Sequence, residues 1–422
     1  MTGKIQVGLA GLIAIVAASL LISAAHAPPA DAVQLAVAGP APVVVTTATV
    51  APVVTPKPPH SDPEQRLIAI LDDIRHGQLD RAEYQVQDLI EDKPNFRLAQ
   101  LVYGDLLASR AGVPVAFETR RDQVESLMAE ARQRWRHYRS QESKEYLPES
   151  LLQLADSQEH AVVVDLSSSR MFVFRNENGR PVLVSDHYVS GGKNGAHKQV
   201  QGDRKTPVGV YFVVDRLPGE DLPDKYGPVA FPVDYPNEWD QRLGRTGSGI
   251  WLHGVASNTY SRPPLDSDGC VALTNEELEI IAPLMREGST PVVIGEAIEW
   301  VSHEQIMNRR QAVNAAIEQW RSDWESGEVE RYLSHYSDEF HGRGMGKRDW
   351  DDYKTRVTRS KKYIEVELGD LSVFEHPHEQ DMVIVTFDQQ YDSDSFSSEA
   401  RKRQYWRAEA DGRWRIISEE SV

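Results

Sequence analysis

The sequence predicts a multidomain chain: an α-helical region, a central mainly-β domain and a C-terminal α+β domain. Three observations predict this. At 422 residues the chain is about three times a typical domain of ~150 residues. Apolar residues recur every three or four positions from about Asp62 to Ser140, then alternate after Pro148. From about His303 the helical period returns, and long polar-alternating strands follow. Composition agrees with a folded chain: 40% of residues are hydrophobic and 26% charged. That excludes a fully disordered chain and a multi-pass membrane protein. The net charge of −18 is wrong for non-specific nucleic-acid binding, which needs clustered cations. A single cysteine excludes an intramolecular disulfide framework and a Cys-rich zinc site.

The elements follow in order. Lys4 precedes an apolar run from Ile5 to Ala25 that ends in Ala25-His26-Ala27, a small-x-small pattern. Residues 1–27 therefore read as an export signal, or as a membrane anchor because Pro28 hinders cleavage after Ala27. No other segment is expected to meet a membrane. Residues 28–60 hold eight of the 24 prolines and read as an extended, solvated spacer.

Residues 61–150 read as helical. Leu67, Ile70, Leu71 and Ile74 share one face, and Gly77 breaks the run. A second helix carries Ala82, Val86, Leu89 and Ile90, and Pro94 stops it. A third carries Leu98, Leu101, Val102 and Leu106, and a last amphipathic helix is expected over Phe117–Arg139. Gly77, Asp80, Ala82 and Pro94 stand as in a tetratricopeptide unit, which this stretch resembles once. Docking of an envelope protein and a plain helical bundle both remain open.

Residues 151–299 alternate. Strands are expected at Ala161–Leu166, Met171–Arg175, Val182–Val189, Val208–Val214, Ile250–His253 and Val292–Ile294. Asn178-Gly179 makes a hairpin turn. One helix is expected from about Glu276 to Arg286, capped by Thr274 or Asn275. Residues 300–422 read as a separate α+β domain. It has a helix from His303 through Trp324, a second at Val329–Tyr336, and strands at Ile364–Leu368, Met382–Gln390, Arg401–Ala408 and Trp414–Ser418.

The chemistry centres on Cys270, in Ser267-Asp268-Gly269-Cys270-Val271. A thiol at neutral pH is only a few per cent thiolate, so nucleophilic catalysis needs a base beside it. His253 ends an apolar strand next to Gly254, seventeen residues before Cys270, and is the candidate base.

This stretch, His253-Gly254 followed by Ser267-x-Gly269-Cys270, resembles the signature of the YkuD-type L,D-transpeptidases. Gly202-Asp203-x-Lys205-Thr206-Pro207-x-Gly209-x-Tyr211 and Ser190-Gly191-Gly192-Lys193-Asn194-Gly195 are similar to upstream segments of the same domain. The resemblance covers about residues 158–297. It departs where Asp268 replaces a common His and Ala272 a common Arg or Asn. It implies a Cys270 nucleophile that attacks the third residue of a peptidoglycan stem tetrapeptide and releases D-alanine. It implies His253 as general base, oriented by the Gly254 carbonyl. The N–H groups of Gly269 and Cys270 are the implied oxyanion donors. An amine acceptor gives transpeptidation, the expected reaction; water gives L,D-carboxypeptidase activity, the alternative. A catalytically dead peptidoglycan-binding scaffold is a third reading.

Substrate contacts are expected from Ser267, Asp268, Arg262, Lys193 and Lys205. The loop Gly191–Thr206 carries a net charge of +3 through Lys193, Lys198, Arg204 and Lys205 against Asp203. Such a loop would steer acidic stem peptides. The C-terminal region resembles nuclear transport factor 2-like (SnoaL-like) domains through Trp320-x-x-x-Trp324, Gly327-x-x-x-x-Tyr332, Tyr336-x-x-x-Phe340, Phe387-x-x-x-Tyr391 and Trp414-x-Ile416. It implies a cone-shaped fold that holds a pocket or dimerises. His341, His376 and His378 could suggest a metal, but His376-Pro377-His378 is expected to lie solvated in a hairpin loop, and neither a metal nor a cofactor is expected. The pair of domains resembles the cell-shape L,D-carboxypeptidases of helical bacteria and some YafK-like proteins. The expected location is the periplasm, free or anchored to the inner membrane.

Overall fold

A computed structural model describes residues 62–112, 121–140 and 146–422. The export segment and the Pro-rich spacer lie outside the described residues. Among the described residues, no helix is long and apolar enough to cross a membrane. Contacts divide the chain into two units, with the boundary in sequence between Trp135 and Arg136.

In the first unit, helices span Pro63–Arg75, Leu79–Asp92 and Arg97–Ala111. The Asp62 side chain caps the first by accepting from the Glu64 N–H. Gly77 takes φ +74°, which a side chain disfavours, and turns the chain into the second helix. Leu67, Ile70, Leu71, Ala82, Val86, Leu89, Leu98 and Val102 are buried, as the spacing requires. The last helix is described over Arg121–Ser140, and residues 117–120 of the expected Phe117–Arg139 helix lie outside the described residues. It buries Arg134, whose charge is met by Glu130 at 3.0 Å and Glu64 at 3.2 Å.

The second unit is built on a five-stranded sheet. Its order is Arg180–Tyr188, Arg170–Glu177, His160–Asp165, Pro291–Gly295, Gly209–Phe212. Only the His160–Asp165/Pro291–Gly295 pair is parallel. Asn178 and Gly179 both have positive φ in the expected hairpin turn. Alternation buries both faces. Val162, Val164, Met171, Val173, Tyr211, Val292 and Ile294 pack into one core with Leu252 and Val271. Ala161, Val163, Phe172, Phe174, Val210, Phe212 and Val293 face the other way and join the core of the C-terminal region.

The C-terminal region, read from sequence as separate, thus shares one core with the catalytic sheet. Its seven-stranded sheet runs Met345–Gly346, Tyr336–Gly342, Trp414–Ser421, Phe396–Ala408, Met382–Ser393, Ile364–Glu375, Leu151–Gln153. The last strand comes from the start of the catalytic segment. Phe212 meets Phe374 edge-on at 6.0 Å, and Trp239 stacks on Tyr405 at 5.6 Å. Arg403 is buried over the Phe212 ring and bonds Asp234 at 2.7 Å.

Three element expectations need correction. The helix expected over Glu276–Arg286 is an α-helix only at Asn275–Ile281, then a 3-10 turn at Ala282–Leu284, because Pro283 cannot donate to an α-helical ladder. The helix expected over Val329–Tyr336 stops at Leu333, and Tyr336 opens a strand. The strand starting at Ile364 continues past Leu368 to Glu375, across an irregularity at Asp370, which has φ +47°.

Candidate active site

A four-stranded sheet forms the floor of the site, in the order Val271–Ala272, Trp251–His253, Val229–Pro232, Leu217–Pro218. The first two strands are parallel, with Leu252 opposite Val271 and His253 opposite Ala272. This register brings the end of the His253 strand beside the residue that follows Cys270. Seventeen residues of sequence separation thereby collapse to neighbouring strands.

His253 is buried, and its Nδ1 lies 2.6 Å from the Gly254 carbonyl oxygen. A carbonyl only accepts, so Nδ1 carries the proton and Nε2 is left with a lone pair. The Tyr226 ring meets the imidazole edge-on at 5.0 Å and also contacts Trp251. Lys225 sits 4.7 Å above the Tyr226 ring. Burial pulls the His253 imidazole down to about 4; the hydrogen bond to Gly254 opposes this, and the Arg262 and Lys225 charges add to it.

Cys270 is partly exposed, and its Sγ donates to the Gly249 carbonyl at 3.4 Å. Burial pushes the thiol up, with Asp268 adding to the rise. The Trp251 backbone, Arg262 and Lys225 pull it back. The two shifts agree: the resting pair is a neutral thiol and a neutral imidazole. The arrangement suits general-base removal of the thiol proton during attack, rather than a preformed ion pair.

The turn before Cys270 explains its glycine. Gly269 has φ +128°, and a Cβ there would lie 2.7 Å from the Lys205 carbonyl oxygen. The Ser267 hydroxyl accepts from the Gly269 N–H at 3.1 Å and donates to the Cys270 carbonyl at 2.5 Å. Ser267, expected to contact substrate, is buried and closes the turn. The Gly269 N–H, expected as an oxyanion donor, is engaged by that hydroxyl.

The flanking loops are tied to this turn. Lys193 N–H donates to the Ser267 carbonyl at 2.8 Å, and Gly192 N–H to Thr206 Oγ1 at 2.9 Å. Gly192 has no room for a side chain, since a Cβ would sit 2.5 Å from the Arg204 carbonyl. The loop is less cationic than its composition: Lys198 is buried on Asp203 at 2.8 Å. Lys193 lies 3.9 Å from Asp266 and Arg204 3.7 Å from Asp268, both at the surface. Lys205 is half-buried and reaches the turn through its backbone. Arg262, half-buried, donates to the Asp266 carbonyl at 3.4 Å, and its charge is felt by both His253 and Cys270. Ser190 pins that loop, donating to the Pro263 carbonyl at 2.6 Å and accepting from Asp266 N–H at 3.2 Å.

Sequence reasoning passed over Lys225 and Tyr226. The available signal was an aromatic before Gly227, in a loop whose backbone must approach Gly254. A Cβ on either glycine would lie within 3.1 Å of the other's Cα.

In the C-terminal cone, Lys354 lies 4.5 Å from the Trp350 ring centre and 4.8 Å from that of Trp324. Burial lowers its ammonium to about 8. His376, expected to be solvated, is buried at 6% exposure, and its Nδ1 accepts from the Glu379 N–H at 2.9 Å. His378 stays exposed. Among the described residues, no cluster of His, Cys, Asp and Glu is arranged to hold a metal ion.

Fold and site together define a cysteine enzyme of the L,D-transpeptidase type. Residues 159–294 match the L,D-transpeptidase catalytic domain, YkuD, and residues 312–420 match the Cds6 C-terminal NTF2-like domain. The chain is 30% identical to Bdellovibrio bacteriovorus Bd1075, over 66% of this chain and 98% of that one, with a TM-score of 0.58. It is 23% identical to the helical cell shape determining protein Pgp2 of Campylobacter jejuni, over 68% and 99%, with a TM-score of 0.56. No curated protein matches the sequence. The chain belongs to the family of YkuD-domain proteins with a C-terminal NTF2-like domain that includes Bd1075.

Proposed function

We propose that the protein is an exported L,D-carboxypeptidase that trims peptidoglycan stem tetrapeptides to tripeptides and so adjusts cell shape. The observation that carries this reading is the match of both domains to nearly the whole length of Bd1075 and of Pgp2, a protein named for determining helical cell shape. Removing the terminal D-alanine removes the donor needed for an L,D cross-link, which is a direct way to alter the wall.

The steps use this chain's own groups. His253 Nε2 takes the thiol proton as Sγ of Cys270 attacks the carbonyl of the third stem residue. The N–H of Cys270 is the oxyanion donor in this reading, since that of Gly269 is held by Ser267. Lys225 and Arg262 place positive charge beside the pair, where the terminal D-alanine carboxylate would lie. His253 returns its proton to the departing amine of D-alanine, leaving a thioester on Cys270. Water then attacks, activated by the same imidazole, and the tripeptide leaves. The N-terminal segment would deliver the enzyme to the periplasm, free or membrane-anchored. The helical region or the C-terminal cone would contact an envelope partner.

The match to a transpeptidase catalytic domain supports a second reading: an amine, not water, takes the acyl group. The two share one thioester and separate on products. Purified protein is incubated with disaccharide-tetrapeptide, with Cys270→Ala as control, and products are resolved by mass spectrometry. Tripeptide with free D-alanine supports hydrolysis. Dimers that have lost one D-alanine support transpeptidation. No turnover, with Cys270 also unmodified by a carbapenem, overturns both.

A further inference from the structure

Thr274 and Asn275 are adjacent polar residues at a helix start, and sequence alone allows either to cap it. The structure gives the capping role to Thr274, whose Oγ1 accepts from the Glu277 N–H at 3.2 Å. Asn275 is thereby released for another contact. Its Oδ1 accepts from the Val255 N–H at 2.8 Å. That N–H belongs to the same peptide group as the Gly254 carbonyl, which accepts from His253 Nδ1 at 2.6 Å.

We propose that Asn275 is a positioning residue for the catalytic histidine, acting through the Gly254–Val255 peptide. The three groups form one chain of hydrogen bonds: His253 Nδ1–H to the Gly254 carbonyl, and the Val255 N–H to Asn275 Oδ1. Accepting from the N–H end of a peptide polarises its C=O end, so the carbonyl becomes a stronger acceptor for the imidazole proton. The same bond fixes the direction in which that carbonyl points. A side-chain carboxylate or amide holds the histidine in many nucleophilic sites; here a peptide does so, and the side chain stands one step behind it.

The packing shows that the space is built around this side chain. A Cβ at Gly254 would lie 2.2 Å from Asn275 Oδ1, and one at Gly227 would lie 2.3 Å from it. Both backbones approach as closely as a side chain's absence allows. Gly254 N–H is also held, by the Tyr226 carbonyl at 2.9 Å. The peptide groups on both sides of Gly254 are therefore hydrogen-bonded, and Tyr226 packs its ring on the imidazole. Asn275 supplies the only side-chain oxygen in this set of bonds.

The test uses the full chain with Asn275→Ala and Asn275→Asp. Turnover of disaccharide-tetrapeptide and alkylation of Cys270 by iodoacetamide are each followed across pH. Asn275→Ala should stay folded and lower kcat by about 10- to 100-fold with KM little changed, because the imidazole loses its alignment. Asn275→Asp keeps an acceptor and adds a negative charge. It should recover most of that kcat and move the acid limb of both profiles to higher pH, by about one unit. Wild-type kcat in Asn275→Ala would overturn the proposal. So would an Asn275→Asp protein that loses as much kcat as Asn275→Ala and keeps the wild-type acid limb. The kinetic arm rests on the peptidoglycan reading above, and the alkylation arm does not. If the wild-type protein fails to turn over the muropeptide, that reading falls while the alkylation profiles still decide the role of Asn275.

Discussion

Gly254→Ala adds one methyl group at the point where the catalytic histidine is oriented. The new Cβ would lie 2.2 Å from Asn275 Oδ1, and 3.1 Å from both Gly227 Cα and Pro228 Cδ. Ordinary carbon contacts begin near ~3.5 Å, so the two glycine-side contacts must give by a few tenths of an ångström and the Asn275 contact by more than about 1 Å. The backbone contacts cannot retreat far, because the Gly254 N–H is tied to the Tyr226 carbonyl. The side chain of Asn275 moves instead, and the Val255 N–H loses its acceptor. Overpacking of this kind costs about 1–3 kcal/mol of stability, while a misplacement near 1 Å at a catalytic group costs about 100-fold in rate. The expected variant is folded, with modestly lowered stability and kcat/KM reduced about 100-fold. The assay pairs thermal unfolding with tetrapeptide turnover. Gly104→Ala, in a helix with open space around it, serves as the control for adding a methyl group. Gly254→Ala combined with Asn275→Gly should be only modestly slower than Asn275→Gly alone, since the 2.2 Å collision is gone and only the two 3.1 Å contacts remain. If the double variant is slower by the full 100-fold, the collision with Asn275 is not the cause and the reasoning fails.

Three further outcomes follow from the electrostatics. His253 is held near 4, so kcat/KM should stay flat as pH falls from 7 to 5 and drop only below about 4; an acid limb near 6.5 would show an imidazole that burial does not perturb. His376 is buried neutral with its imidazole pulled to about 3, mainly by burial. The unfolded chain binds that proton from about pH 6.5 downward and the folded chain does not, so stability should fall as pH drops through this window. Between pH 7.5 and 5 the loss from this one group is about 2 kcal/mol, and His376→Asn should remove it from denaturant melts at the two pH values. Arg403→Met leaves Asp234 and Glu420 without the cation that lies 2.7 Å and 3.3 Å from them. Urea unfolding should show a loss of about 3 kcal/mol, smaller in the Arg403→Met, Asp234→Asn double variant; equal losses in the two would remove the ion pair as the cause.

Much of the fold was legible in the sequence because the hydrophobic period changes twice, and each change marks a new architecture. The strands Ala161–Leu166 and Met171–Arg175 have apolar residues on both faces. That pattern reports burial from two sides without naming what covers the second. The cover is the C-terminal sheet, which meets Phe172, Phe174 and Phe212 and takes in the strand Leu151–Gln153. His376 is buried as well, although its neighbours in sequence are those of a solvated turn. In the active site, Cys270 and His253 stand out by residue type, by spacing and by the glycines beside them. The Ser267 hydroxyl turns back to its own loop, a contact that residue type does not announce. Lys198 was counted as a steering charge because its ion pair with Asp203 closes only when the loop folds.

The sequence by itself determined most of the elements and singled out Cys270 and His253 as the candidate nucleophile and base, because these readings rest on local pattern and on residue chemistry. Parallel pairing of two short strands decided that the base stands beside the nucleophile. Burial decided that both are neutral at rest. Tertiary packing also decided which of two adjacent polar side chains caps a helix and which one holds the catalytic peptide. Thr274 and Asn275 are equally able to accept a backbone N–H. Only the place of the Val255 N–H in space distinguishes them, and that place is set by a strand and a loop twenty residues away.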